Sequence, residues 1–157
     1  MASTLTAETL TSTISESITL NGKNQGGTTT VSIPDIKSVY KRIITCPASN
    51  TTTIATFASA VHSSAGAIDV EDARYIRVTN LDATAPITLA VVGAATLYQV
   101  SLEFGRSHVL ATPDGLMLAE ADTSPSFGTK ADIASLQINP GGSTVDIEIM
   151  EIGRAHV

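Results

Sequence analysis

The chain has 157 residues, of which 43% are hydrophobic, 15% charged and 4% aromatic, and its formal net charge is −6. One domain of this length buries roughly 70% of its unfolded surface, so a proper core needs no covalent staples. The scarcity of charge argues against a coiled coil, a helical bundle or a charged disordered tail, and the acidic balance excludes an electrostatic grip on nucleic acid, which needs a basic face.

In chain order, the first sixteen residues alternate Thr and Ser around Leu5 and Leu10, without a turn or a core pattern. They are expected to be an extended N-terminal arm, residues 1–16, that pairs with something else or stays disordered. Met1–Ser17 has no basic region and no apolar run, so no signal peptide is expected. Two β-rich runs follow, Ser17–Leu20 and Thr28–Ile33, flanking Asn21-Gly22 and Gly26-Gly27. Glycine supplies positive φ and Asn tolerates it, so the spacing predicts a hairpin with a long or bulged loop, ended by Pro34. Ile36–Thr45 is the next strand, with Val39, Lys41 and Ile43 opposite Tyr40, Arg42 and Ile44, and Thr51–Phe57 is a short β-branched one. Ala58–Gly66 reads as a loop. Arg74–Leu81 shows a period of two, the signature of a half-buried strand.

Between Asp82 and Glu103 no residue is charged, which raises a membrane span. Pro86, Gly93, Gln99 and three threonines interrupt it, so it reads as two strands, Ile87–Val92 and Thr96–Leu102, and no transmembrane segment is expected. Ser107–Ala111, the turn Thr112–Gly115, the apolar run Leu116–Ala121 and a surface loop over Asp122–Lys130 come next. Ile133–Ile138 and Thr144–Ile152 are the last strands, joined by Asn139-Pro140-Gly141-Gly142. In the last, Val145, Ile147 and Ile149 alternate with Asp146, Glu148 and Met150, giving one core face and one wet face. About ten short strands with regular punctuation predict an all-β fold: an antiparallel β-sandwich, jelly-roll-like, over residues 17–153, with a C-terminal tail at 154–157.

Candidate chemistry is thin. Cys46 stands alone, so no intrachain disulfide is possible, and it reads as a small buried hydrophobe. His62, His108 and His156 have no metal-ligand spacing. Asp69, Glu71 and Asp72 lack the interleaved Gly and Asn of a calcium loop and read as a solvated turn. Glu103, Asp114 and Glu120 offer an arbitrary carboxylate pair. No G-x-S-x-G elbow is present, and neither Gly26-Gly27 nor Gly141-Gly142 opens a helix as a phosphate loop does. Arg74 and Arg77 are expected to pair with acids such as Asp72 and Asp82. Without Trp, and with Tyr40, Tyr75, Tyr98, Phe57, Phe104 and Phe127 as the whole aromatic set, stacking on sugars is disfavoured. No catalytic, cofactor-binding or metal-binding residue is assigned, and no enzyme activity or cofactor is expected.

Several stretches together carry a resemblance: Ser17-Ile18-Thr19-Leu20-Asn21-Gly22, Tyr40-Lys41-Arg42-Ile43-Ile44, Tyr75-Ile76-Arg77-Val78-Thr79-Asn80-Leu81-Asp82 and Leu102-Glu103-Phe104-Gly105. Across Ser15–Gly153 the chain resembles small virion structural proteins of tailed bacteriophages, particularly marine phages and cyanophages. The resemblance implies a capsid decoration or cement protein at the virion surface. Its partners would be copies of itself, as a homotrimer, and the major capsid protein of the shell, with neither nucleic acid nor membrane. The alternatives are a tail or head–tail connector part, a glycan-binding fibre domain and, more remotely, a glycan-cleaving enzyme on the same sandwich.

Overall fold

The computed structural model describes residues 6–60, 66–93, 97–111, 114–116 and 127–154. Among them there are thirteen strands and no helix. The apolar run Leu116–Ala121, the loop Asp122–Lys130 and the tail 154–157 fall largely outside the described residues, as do Thr112, Pro113, His62, His156 and Glu120.

Eight strands build the body. One sheet has the order β11 (Ser107–Leu110), β8 (Ala73–Asn80), β13 (Val145–Gly153), β5 (Ser38–Cys46). The facing sheet runs β10 (Leu97–Leu102), β9 (Ile87–Gly93), β12 (Ile133–Asn139), β6 (Thr52–Ala58), and a two-residue strand β7 (Ile68–Asp69) adds to β6 in parallel. The chain changes sheet at every step from β5 to β13 except between β6 and β7 and between β9 and β10, so late strands lie between early ones. That interleaving is the jelly roll. The charge-free stretch between Asp82 and Glu103 is the antiparallel pair β9–β10, with Leu102 opposite Ile87. No helix among the described residues is long and apolar enough to cross a membrane.

β13 shows how the residues dictate this. Its period-two pattern sends Val145, Ile147 and Ile149 into the core, where they are buried, and leaves Asp146 exposed. Ile147 lies beside Ile44 on one side and Asn80 on the other. From the facing sheet Leu89, Val91, Leu136 and Ile138 meet them. Each such side chain contributes roughly 1.5–3 kcal/mol on burial. Cys46 is among them, fully buried as expected.

The N-terminal region departs from the sequence reading. Thr28–Ile33 does not pair with Ser17–Leu20. Asn21 (φ 51°) and Gly22 (φ 74°) make a tight two-residue turn that joins β2 (Thr19–Leu20) to β3 (Lys23–Asn24). That conformation needs positive φ at both positions, which Asn-Gly provides. The ribbon then continues through Gln25 N–H to Ile18 O (2.9 Å) and Glu16 N–H to Gly27 O (2.8 Å). Beyond this, β1 (Glu8–Ser15) pairs with β4 (Thr28–Ile36). The arm therefore has a partner in its own chain. Gly26 is obligatory here, because a Cβ would collide with the main chain of Glu16.

Pro34 does not end the strand either. Between Leu10↔Ile33 and Glu8↔Ile36, β4 carries one residue more than β1. Pro34 and Asp35 occupy this bulge, with Asp35 at φ 62°. A proline is tolerated at a bulge of a two-stranded ribbon because no ladder bond needs its missing N–H.

Candidate functional site

Two surfaces stand out once the strands are placed: one face of the β1–β4 ribbon and a cavity at one edge of the sandwich.

Directly paired residues of an antiparallel ribbon point to the same side. Leu10 lies opposite Ile33, Ser12 opposite Val31 and Ile14 opposite Thr29, so four aliphatic side chains share one face. The other face pairs Thr11 with Ser32, Thr13 with Thr30 and Ser15 with Thr28. Hydroxyl contacts link the last two pairs at 3.2 Å each. The ribbon is amphipathic, and its apolar side is covered only in part: Leu10 and Ile33 are half-buried, whereas Ile14 is 64% exposed and Val31 52%. Ile18 and Leu20 near the turn are exposed as well. β1 and β4 form a two-stranded sheet of their own, so the outer main-chain edge of each strand carries no further strand among the described residues.

The cavity, of about 200 Å³, lies between β5, β7 and the end of β13. Its lining includes Ser38, Tyr40, Asp69, Asp72, Glu151 and Arg154, with Ala67, Ile68, Ala73 and Gly153 supplying apolar surface. Glu151 falls on the inward side of β13, in register with Tyr40 on β5 and Ile76 on β8. It is 4% exposed. Burial, with the negative charge of Asp72 adding to it, pushes its carboxyl up to about 7. The Asp72 carbonyl accepts the Arg154 N–H at 3.0 Å, which closes the back of the cavity.

A second cavity of about 200 Å³ opens on the outer face of the five-stranded sheet, lined by Thr51, Thr88, Gln99, Gln137 and Asn139 with Ala90, Val92 and Leu97. It holds neither a charge nor an aromatic ring.

The sequence-stated candidates scatter. Asp69 and Asp72 reach the first cavity, whereas Glu71 does not line it; its N–H donates to Asp69 Oδ1 at 2.9 Å in a turn. His108 lies on β11 with its Nε2 3.2 Å from the Tyr98 hydroxyl and its ring edge-on to that of Tyr98, and burial lowers its pKa. Cys46 has its thiol pKa raised, chiefly by burial, which suits a core residue and not a nucleophile. Arg77 pairs with Glu148 (2.7 Å), not with Asp72 or Asp82, and Lys41 joins the same carboxylate at 3.1 Å. Asp82 turns back on its own loop, accepting from the N–H groups of Thr84 and Ala85, which hold its pKa down. Arg74 donates to the Ala73 carbonyl. Glu103 and Asp114 line neither cavity. No group of three or more His, Cys, Asp or Glu among the described residues is arranged to hold a metal ion. Glu151 is the residue that the sequence reading passed over, although the two-residue period of Val145, Ile147 and Ile149 continues onto it.

No family model matches the chain, and no curated protein matches it. Among solved structures, the chain is similar to one from a study of Bacillus endospore appendages, described as a novel family of disulfide-linked pili. The identity is 12%, the TM-score 0.43, and the match covers 74% of this chain and 85% of the other. A likeness of that size carries no argument about function.

Proposed function

We propose that this chain is a structural subunit of a larger assembly, fastened to it through the β1–β4 ribbon, and that the assembly is a phage capsid which the protein decorates. The observation that carries the reading is the exposed part of the apolar ribbon face, Ile14 and Val31. Isolated two-stranded ribbons are marginal in water. A ribbon with four aliphatic side chains on one side gains stability by laying that side on a neighbour, and its open edges can add main-chain hydrogen bonds there. The face made by Leu10, Ser12 and Ile14 with Thr29, Val31 and Ile33 carries no charge, which suits a contact that resembles a divided core. The resemblance to tailed-phage virion proteins supplies the identity of the neighbour: the major capsid protein lattice, approached by a trimer of this chain. No catalytic step is part of this role.

Replacing Ile14 and Val31 together by Thr keeps the β-propensity of the ribbon and removes its grip. The expected result is loss of capsid occupancy and of self-association, measured by sedimentation of purified particles and of the free protein, with no change in the melting of the sandwich. Unchanged occupancy would refute the ribbon's role. Copy number per virion separates the shell from the tail: on the order of hundreds of copies fits decoration of a lattice, about a dozen a connector or tail part. A glycan-binding fibre domain has in its favour the amide-lined groove around Gln99, Gln137 and Asn139, and against it the lack of an aromatic platform there.

A further inference from the structure

Glu151 is costly where it sits. An ionised carboxylate withdrawn from water without a partner loses several kcal/mol, and proteins keep such groups paired or neutral. Among the described residues no hydrogen bond or ion pair reaches the Glu151 carboxylate, and what exposure it has opens onto the cavity it lines. Gly153 keeps that cavity open, since a Cβ there would meet Glu151 Oε1 at 2.8 Å and the Asp72 carbonyl oxygen at 2.9 Å.

The lining sets the sign of any guest. The acids of the lining are Asp69, Asp72 and Glu151 and its cation is Arg154, so among the described residues carboxyl groups outnumber bases on the wall. The other charged groups nearby are Glu71 in the turn before β8, Arg74 on β8, Lys37 before β5, and Arg42, whose guanidinium lies 5.6 Å from the centre of the Tyr40 ring. A bare metal ion is disfavoured because no three donors among the described residues converge there. The volume falls below the roughly 300–1,000 Å³ of pockets for drug-sized ligands and suits a single aliphatic chain with a polar head.

We propose that this cavity binds a primary alkylammonium group, with the Glu151 carboxylate as its counter-ion. An ammonium has three N–H donors to place. The Glu151 carboxylate and the Ser38 hydroxyl are the acceptors on the wall, and Ala67, Ile68 and Ala73 take the methylenes. The guest is either a free alkylamine or a lysine side chain presented by another polypeptide; the chemistry is shared. Because Glu151 must be ionised to pair, binding releases its proton, and affinity rises with pH through the neutral range and then levels off. The site is independent of the ribbon and stands or falls apart from it.

The test titrates the full chain with n-butylammonium chloride and, separately, with N-acetyl-lysine methylamide, following amide chemical shifts of Ile68, Ala73 and Gly153. Saturable binding near pH 8 that weakens about ten-fold near pH 6 is the expected result. Tighter binding of the lysine amide identifies a peptide-borne guest, and tighter binding of butylammonium a free amine. Glu151→Gln should weaken binding at least ten-fold and abolish its pH dependence; should that variant fail to fold, Ser38→Ala, which removes one acceptor at the mouth, should weaken it several-fold. No saturation by either amine near pH 8, or equal binding by the Glu151→Gln variant, overturns the proposal.

Discussion

The side chain of Glu151 makes folding depend on pH in an unusual direction. Its carboxyl titrates at about 7 in the folded chain against 4.5 for the ordinary group, so between these values the folded state holds a proton that the unfolded state has released. Stability from this group is fully present below about pH 4.5 and is lost as pH rises through 7. The loss amounts to roughly 3 kcal/mol at ~1.4 kcal/mol per pH unit. His108 runs the other way: burial lowers its pKa from 6.5, so its contribution is present above 6.5 and is lost as pH falls from there through the lower folded value. Denaturant unfolding of the parent and of Glu151→Gln across this range separates the two, since the difference between the curves cancels His108. That difference is expected to favour the variant by about 2–3 kcal/mol near pH 8 and to vanish near pH 4. Asn80 is a buried polar group of the opposite kind. Its Nδ2 donates to the carbonyls of Ala85 (2.8 Å) and Leu102 (3.1 Å), and its Oδ1 accepts from Asp82 N–H (3.0 Å). Asn80→Ala strands these groups, and chemical unfolding should register a loss of about 3 kcal/mol. In the sequence Asn80 is one residue of the Arg74–Leu81 strand with nothing to mark it as a buried hydrogen-bonding centre, and Glu151 is one more acid near the end of a strand unless the two-residue period is followed past Met150.

At the level of strands, legibility follows burial. β8, β9, β12 and β13 stand within a residue or two of where alternation puts them, because one face of each is core and a slip would turn every side chain over. β7, two residues long, offers no period to read. The ribbon was misread for a related reason. Apart from Ile36 at its root its strands send no side chain into the core, and nothing in Thr/Ser alternation says which run pairs with which; the partner is fixed by the tight Asn21-Gly22 turn, whose register holds from Leu20↔Lys23 to Leu10↔Ile33. The notable strain within the ribbon is Asp35, a non-glycine residue in the left-handed region. Asp35→Gly relieves it and should stabilise β1–β4 by up to about 1 kcal/mol. Amide hydrogen exchange is the suitable measurement, because the ribbon opens separately from the sandwich. In the free protein, amides of Thr11–Ser15 and Thr28–Ser32 should exchange far faster than those of β12 and β13, and the substitution should slow the ribbon alone.

The whole molecule is then two structural units: a jelly roll around its own core, and a two-stranded ribbon with exposed apolar residues. In the jelly roll β5 pairs with β13 and β6 with β12, so nearly the whole sandwich sequence must be threaded before its first strands are satisfied. Such non-local pairing places folding in the range of milliseconds to seconds. The ribbon adds nothing to that network, since β1 and β4 pair with each other and with no strand of either large sheet. Its link to the body is at Ile36, which is buried, and at Lys37, whose N–H donates to the Gly153 carbonyl at 3.1 Å. A truncation that begins at Ile36 keeps both contacts. Scanning calorimetry of that truncated chain should give a single transition within a few degrees of the parent, as a change of under about 1 kcal/mol allows for a domain of this size. A midpoint lower by ten degrees or more would mean that the ribbon lies against the sandwich in solution and shields part of it, and the apolar face would then have its cover within the chain.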